Sequence, residues 1–284
     1  MKFNLGEWRM KPGVSSFNCE QIRDIRICDE GKRVHLYAVK YREDTRSMDG
    51  PALEIDITSP IEDIIRFEVC HFKGVRTKFP AFDLRDNRIT LSVARNDNEI
   101  RVCSGNTSVV ITCRPCTIRF FYKDRLLTSV GDRFGSPMLS YITAPEGSFL
   151  RGQLDIGVGE KVYGFGEHFN ALIKNGQSID IWNEDGGTSS EIGYKCIPFY
   201  MTNRGYGVLI NDPGPVSFEV CTEAATRVQF SVPGQKLDFM VIGADSMKRV
   251  LKKYTMLSGS PALPPPWTFG LWLSSSFTTS YDEK

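Results

Sequence analysis

WNEDGGTSSEIGYKCIPFYMTNRGYGVLIND, residues 182–212, passes from loop to hairpin within one stretch. Asn183, Glu184 and Asp185 lead into Gly186 and Gly187, then Thr188, Ser189 and Ser190. Glycines reach positive φ at little cost, and short polar side chains hydrogen-bond their own backbone, so this half is expected to be a loop. Ile197 to Met201 reads as an apolar and aromatic strand, TNRG at 202–205 as a turn, and Tyr206 to Ile210 as the return strand. Trp182 and Asp185 are therefore carried on a polar loop held by a rigid hairpin, an arrangement common in recognition loops. A second reading makes Trp182 a core residue and Asp185 an ordinary turn carboxylate.

Upstream the pattern is β throughout. Val34–Val39, Leu53–Thr58, Ile65–Val69, Ile89–Val93 and Ile118–Tyr122 read as strands, several alternating with period two, and turn clusters separate them. No helical period interrupts them, so antiparallel sheets packed face to face are expected rather than βαβ units. Downstream, strands are expected at Ser217–Val220, Val228–Val232 and Leu237–Ile242. One helix follows near 245–258, with Asp245 and Ser246 as N-cap chemistry and Gly259 as its stop. Met247, Val250, Leu251, Tyr254 and Leu257 form its apolar stripe, and Lys248, Arg249, Lys252 and Lys253 its solvated face. PALPPP at 261–266 is a stiff linker, and Trp267 to Leu273 reads as a further strand.

The chain has 284 residues, 41% hydrophobic and 24% charged, with a net charge of +1. That is an ordinary globular composition with no basic excess for nucleic acid. No apolar run approaches the roughly 20 residues of a membrane span. The N-terminus, MKFNLGEWRM, lacks the apolar core of a signal peptide, which predicts a cytoplasmic protein with no membrane partner. Eight cysteines are scattered rather than arrayed as a disulfide scaffold. Cys113 and Cys116 form a CRPC run between two strand-like segments, not at a helix start, so they are expected to be buried or half-buried free thiols beside a proline-marked strand irregularity. His35, His71 and His168 stand far apart, and no close ligand pair points to a metal. The GVG and GFG runs at 157–159 and 164–166 do not form a phosphate loop, because neither reads GxGxxG and no helix follows. They are expected in strands where backbones approach closely. The NTS run at Asn106 reads as a turn.

The stretch from Trp182, together with PALPPPWTFGLWLSSSFTTSYDEK at 261–284, resembles the N-terminal portion of glycoside hydrolase family 31, and most its bacterial α-xylosidases. The resemblance is dense from Leu154 onward and thin before it. It implies a mostly β fold, a galactose-mutarotase-like antiparallel β-sandwich over 1–243 with an active-site loop at 171–190. A helix and proline-rich linker would fill 244–266, and 267–284 would begin a (β/α)8 barrel. In that family a retaining mechanism uses two aspartates on late barrel strands. Two such carboxyl groups stand about 5 Å apart, and a barrel takes roughly 250 residues. The nucleophile and acid/base are therefore expected beyond Lys284. No catalytic residue is expected among these 284, and residues 1–284 alone are expected to be inactive. The resemblance implies that Asp185 reaches toward the sugar and that Phe277, in the SFTT run, lines the leaving-group subsite, with Trp182 beside them. A carboxylate accepts hydrogen bonds from sugar hydroxyls, and an aromatic ring covers the apolar face of a pyranose. The implied partner is an oligosaccharide carrying α-linked xylose at its non-reducing end, of xyloside or xyloglucan type. No cofactor is implied, and a homo-oligomer remains open. Two other readings stand beside this one: an α-glucosidase of the same family, and a free-standing carbohydrate-binding β-sandwich.

Overall fold

The computed structural model describes residues 2–5, 9–42, 44, 46–74, 80–131, 139–184 and 193–272. The first strands are β1 (Ser15–Asn18), β2 (Gln21–Cys28), β3 (Arg33–Val39), β4 (Tyr41–Arg42) and β5 (Ser47–Met48). Then come β6 (Leu53–Thr58), β7 (Ile64–Cys70), β8 (Ser92–Arg95), β9 (Glu99–Ser104), β10 (Thr107–Cys113) and β11 (Cys116–Tyr122). The middle of the chain gives β12 (Arg125–Val130), β13 (Leu139–Ala144), β14 (Gly147–Asp155), β15 (Val162–Gly166) and β16 (Gln177–Ile181). The last strands are β17 (Cys196–Thr202), β18 (Tyr206–Ile210), β19 (Val216–Val220), β20 (Arg227–Pro233) and β21 (Lys236–Gly243), before the helix α1 (Met247–Ser258).

All pairings between these strands are antiparallel. An eight-stranded sheet runs β15-β17-β18-β21-β7-β6-β3-β2. Opposite it lie a six-stranded sheet, β1-β13-β14-β20-β19-β16, and a five-stranded sheet, β12-β11-β10-β9-β8. The two smaller sheets meet where Thr128 and Ser129 of β12 donate to Asp155 of β14, at 2.9 and 3.1 Å. One continuous core joins all three, because period-two alternation turns one face of each strand inward. Leu53, Ile55 and Ile57 of β6 are 2% exposed or less while Glu54, Asp56 and Thr58 are only partly buried, as the alternation predicted.

Helix α1 covers part of the opposite face of the eight-stranded sheet. Val250 and Leu257 are buried against Phe199, Leu209 and Ile242, and Tyr254 stacks on Phe199 at 4.2 Å between ring centroids. Leu251, expected on the apolar stripe, is exposed. Lys253, expected in solvent, turns inward: its Nζ donates to Asp63 Oδ2 at 2.8 Å and to the Gly243 carbonyl at 2.5 Å, and it lies over the Tyr122 ring. Asp63 Oδ1 in turn accepts the Asn106 amide at 2.6 Å. Ser246 does not cap the helix; its hydroxyl donates to Asp245.

Several expectations are corrected. Ile89–Leu91 are not in a strand; β8 begins at Ser92. Gln177–Ile181, inside the segment expected to be loop, form β16. Trp267 to Leu273 was expected to be a strand. Instead Pro266–Phe269 make a 3-10 turn, with the Thr268 amide donating to Pro265 at 3.0 Å and the Gly270 amide to Trp267 at 3.1 Å. A proline at the first position presets that turn, and no neighbouring strand among the described residues offers a ladder. The rest of the expected barrel start, from Leu273 to Lys284, lies outside the described residues.

The Lys253–Asp63 pair is mostly buried on both sides, at 15% and 12% side-chain exposure. Lys253→Ala leaves the Asp63 carboxylate without its cation, and is expected to lower stability by about 2–3 kcal/mol in urea denaturation. On the same outer face of the eight-stranded sheet Asp56, Glu68 and Asp238 face one another across β6, β7 and β21. Burial pushes the Glu68 carboxyl up; Arg66 opposes this, and Asp238 and Asp56 add to it. Its folded pKa therefore lies above its unfolded value. The contribution of this group is present at low pH and is lost as pH rises through the folded pKa. Glu68→Gln is expected to raise stability at pH 7 by about 0.5 kcal/mol, the small size reflecting its solvent contact. Thermal melts of both proteins at pH 4 and pH 7 check that sign.

Candidate functional site

Two crossovers meet at one end of the sandwich. β15 is an edge of the eight-stranded sheet and β16 an edge of the six-stranded sheet. The chain leaves β15, crosses through 167–176 to β16, and returns through 182–195 to β17, which pairs with β15. Backbone bonds staple the crossovers together: the Glu167 amide donates to Lys195 O at 3.0 Å, and the Glu184 amide to Gly193 O at 3.4 Å. Asn183 Oδ1 accepts the buried Cys196 amide at 2.6 Å, and the Cys196 thiol donates to Gly193 O at 3.5 Å.

Glycine makes the close approach possible. Gly166 has φ +79°, and a Cβ there would stand 2.0 Å from the Lys195 carbonyl oxygen; a Cβ at Gly193 would stand 2.2 Å from the Glu167 oxygen. Both are far inside contact distance. The expectation that the GFG run marks close backbone approach therefore holds at Gly166. Between Gly164 and Gly166, Phe165 is fully buried at φ +69°, at the bulge in the β15–β17 register. An aromatic residue in the left-handed region is strained. Packing against Phe218, 4.7 Å away, and Tyr200, 5.7 Å away, holds it there.

Trp182 follows β16 directly and is 45% exposed, so it is not a core tryptophan. It stands at the root of the return crossover; Phe169, Leu172, Ile173, Tyr194 and Ile197 on the two crossovers and the start of β17 are exposed as well. Asp185 and Phe277 lie outside the described residues, as does Lys284, beyond which the nucleophile and acid/base were expected. Of the three substrate-binding residues singled out in the sequence, the structure thus places Trp182 alone. Sequence reasoning missed Asn183, whose side chain closes the loop root, and Lys174. Lys174 is buried in the first crossover, where its ammonium donates to Asn170 and burial holds it below the usual lysine value. Among the described residues no group of three or more histidines, cysteines or acids gathers to hold a metal. Cys113 and Cys116 are buried free thiols, as expected. His35 Nδ1 lies 2.8 Å from Asp56, and His71 Nδ1 lies 2.5 Å from Gln235. No helix among the described residues is long and apolar enough to cross a membrane.

The described residues thus form a layered antiparallel β-sandwich with a hydrogen-bonded loop root at one end. Residues 53–219 match the glycosyl hydrolase 31 N-terminal galactose mutarotase-like domain, and the chain belongs to that glycoside hydrolase family. It is 36% identical over its whole length to an α-xylosidase of Emericella nidulans and 36% identical to one of Lactiplantibacillus pentosus. It spans about two fifths of these relatives, 39% and 37% of their lengths. Among solved structures it resembles a cycloalternan-forming enzyme of Listeria monocytogenes in complex with a pentasaccharide substrate. That likeness has a TM-score of 0.74 at 19% identity, over 91% of this chain and 24% of that one. It also resembles a family 31 α-xylosidase from a soil metagenome complexed with xylose, with a TM-score of 0.64 at 17% identity, over 85% of this chain and 36% of that one.

Asn183→Ala deletes the acceptor of the buried Cys196 amide. It is expected to lower stability by about 1–2 kcal/mol and to speed hydrogen exchange at Cys196 more than in the centre of β18, which exchange measured by NMR resolves.

Proposed function

We propose that residues 1–284 are the N-terminal portion of a retaining family 31 glycosidase that removes α-linked xylose from the non-reducing end of xylosides and xyloglucan-type oligosaccharides. The observation that carries this reading is the 36% identity to two α-xylosidases across the whole chain. An α-glucosidase of Bacillus thermoamyloliquefaciens matches less, at 26% over 74% of the chain. In this reading the sandwich spans 1–243, the helix and linker 244–266, and a catalytic barrel begins at 267. The protein acts in the cytoplasm. The nucleophile and acid/base come from the barrel, beyond Lys284. The sandwich contributes the loop after Trp182: its stapled root is rigid, and Gly186 and Gly187 let the segment between project toward the barrel mouth. There Asp185 accepts hydrogen bonds from sugar hydroxyls, and Phe277 lines the leaving-group subsite. Trp182, at the base of the loop, is the third substrate-binding residue beside them.

A polypeptide limited to residues 1–284 is expected to show no turnover of aryl α-xylosides, while the full-length enzyme hydrolyses them with retention; turnover by the purified shorter chain would overturn the assignment of catalysis to the barrel. In the full-length enzyme Asp185→Ala removes a charged acceptor worth about 1.5–3 kcal/mol, a fall of roughly ten- to hundredfold in kcat/KM. Phe277→Ala is expected to weaken discrimination among leaving groups more than it slows simple aryl substrates. Unchanged kcat/KM on a xylosyl disaccharide for both variants would mean that neither residue reaches the sugar.

A further inference from the structure

A groove opens where two turns of the five-stranded sheet meet an edge of the eight-stranded sheet. Among the described residues β2 is that edge, with β3 as its neighbour on one side alone. The facing turns are Asp97 and Asn98, between β8 and β9, and Arg114, between β10 and β11. The groove holds about 210 Å³, and the buried Ile22, Ile25 and Cys113 form its apolar floor. Its walls are tied together. Asn98 O accepts the Cys113 amide at 2.7 Å, and Asn98 Oδ1 accepts the Arg114 amide at 3.0 Å. Asn98 Nδ2 donates to Arg114 O at 3.3 Å. Beyond that turn the Cys116 amide donates to Glu20 O at 2.8 Å, and Arg95 Nη1 reaches from β8 to Ile25 O at 3.2 Å. The groove is therefore pre-formed, as small-molecule sites usually are.

Its lining is cationic. Three arginines, Arg23, Arg95 and Arg114, stand against one carboxylate, Asp97. Other carboxylates on or beside these elements are drawn to cations elsewhere: Asp24 to Arg26 at 2.6 Å, Glu99 to Arg119 at 3.1 Å, and Glu20 to Lys40 at 3.5 Å. Two of the three guanidiniums act at the floor. Burial pushes the Cys113 thiol up and Cys116 adds to this, while Arg95 and Arg114 oppose it. The Arg23 guanidinium lies 4.2 Å from the centre of the Tyr41 ring. A ring against the face of a guanidinium leaves its N–H edge for an anion. A guanidinium carries five N–H donors, and Arg95 uses one on Ile25 O.

We propose that this groove binds the phosphate group of a small molecule. The lining chooses among ligand classes. Three guanidiniums less one carboxylate leave two positive charges. A phosphate monoester carries about −1.5 to −2 at pH 7, with three acceptor oxygens that match the guanidinium fork. A monocarboxylate balances half of that charge and a neutral sugar none of it, while a metal cation would face three arginines. The volume is below the roughly 300–1,000 Å³ of sites for larger ligands, so the phosphate is free or carried on a short carbon skeleton. The floor of Ile22, Ile25 and Cys113 suits such a skeleton, and Asp97 and Asn98 can accept its hydroxyls. The groove shares no residue with the stapled loop, and the inference does not depend on the chain's being part of a glycosidase.

The test is an amide NMR titration of the 284-residue chain with glycerol 3-phosphate, inorganic phosphate, glycerate and glycerol, at constant ionic strength. The expected result is millimolar binding of both phosphates, with shifts at 22–25, 95–98 and 113–116. Glycerate is expected to bind about tenfold more weakly, and glycerol to give no response. Tighter binding of glycerol 3-phosphate than of inorganic phosphate supports an ester as the ligand; equal binding supports the free ion. Arg114→Gln leaves the backbone bonds of its turn in place and is expected to weaken both phosphates by about tenfold, as is Arg95→Gln. Asp97→Asn is expected to tighten inorganic phosphate by about threefold. Glycerate binding as tightly as phosphate would overturn the proposal. So would shifts spread over the basic surface rather than gathered at the three segments, unchanged affinity in Arg114→Gln, or no response to either phosphate.

Discussion

A file of phenylalanines runs through the middle of the sandwich. Phe120 of the five-stranded sheet meets Phe67 at 5.6 Å, and Phe67 stacks on Phe239 at 5.1 Å within the eight-stranded sheet. Phe239 meets Phe230 at 5.2 Å across the layers, Phe230 meets Phe218 at 6.3 Å, and Phe218 meets Phe165 at 4.7 Å. Each ring buries a large apolar area and prefers the tilted or offset geometries seen here. The file touches all three sheets, so it fixes how they lie against one another. Its last member is Phe165, whose left-handed backbone bends β15 toward the loop root. Core packing and site geometry are thus one constraint: the described root of the loop keeps its place because a core residue is held in a costly conformation.

The staple at 166–196 is the second layer of that constraint. Asn183, Gly166 and Gly193 add no chemistry of their own. They bring Glu167, Glu184 and Lys195 within backbone hydrogen-bonding reach and set Trp182 at the edge of the sandwich. In the proposed reading this is what the sandwich supplies to a barrel: a hydrogen-bonded base for the segment that follows Glu184.

Much of this was legible in the sequence where one face of a strand is wet and the other dry. β6 is the plain case, and its bounds agree with the alternation from Leu53 to Thr58. Legibility failed where that contrast is missing. β14 is buried on both faces, one by the core and one by the N-terminal segment around Phe3, so Arg151 and Gln153 interrupt its apolar residues without marking solvent. β2 carries a bulge between Ile22 and Asp24, which spaces its buried residues by three rather than two. The run from Trp267 looks strand-like because it is apolar, but composition cannot supply a partner, and Trp267, Phe269, Leu271 and Trp272 stand exposed around a 3-10 turn. At the site, Trp182 was visible as a residue type in a glycine-rich setting. The role of Asn183 was not, because it depends on an amide 13 residues away.

The position of β7 has a consequence for how the chain is made. β7 lies inside the eight-stranded sheet, flanked by β6 on one side and β21 on the other. The Arg66–Asp238 bond that ties it to β21 spans 172 residues. At ordinary rates of synthesis that separation amounts to about 10–30 s on the ribosome. During that interval β2, β3, β6 and β7 can pair, but β7 is left as an open edge and the phenylalanine file is unfinished. Such an edge invites another nascent chain. The charged row on the outer surface of these strands, with Arg66, Glu68 and Asp56, keeps that unfinished sheet soluble on one side until β21 arrives.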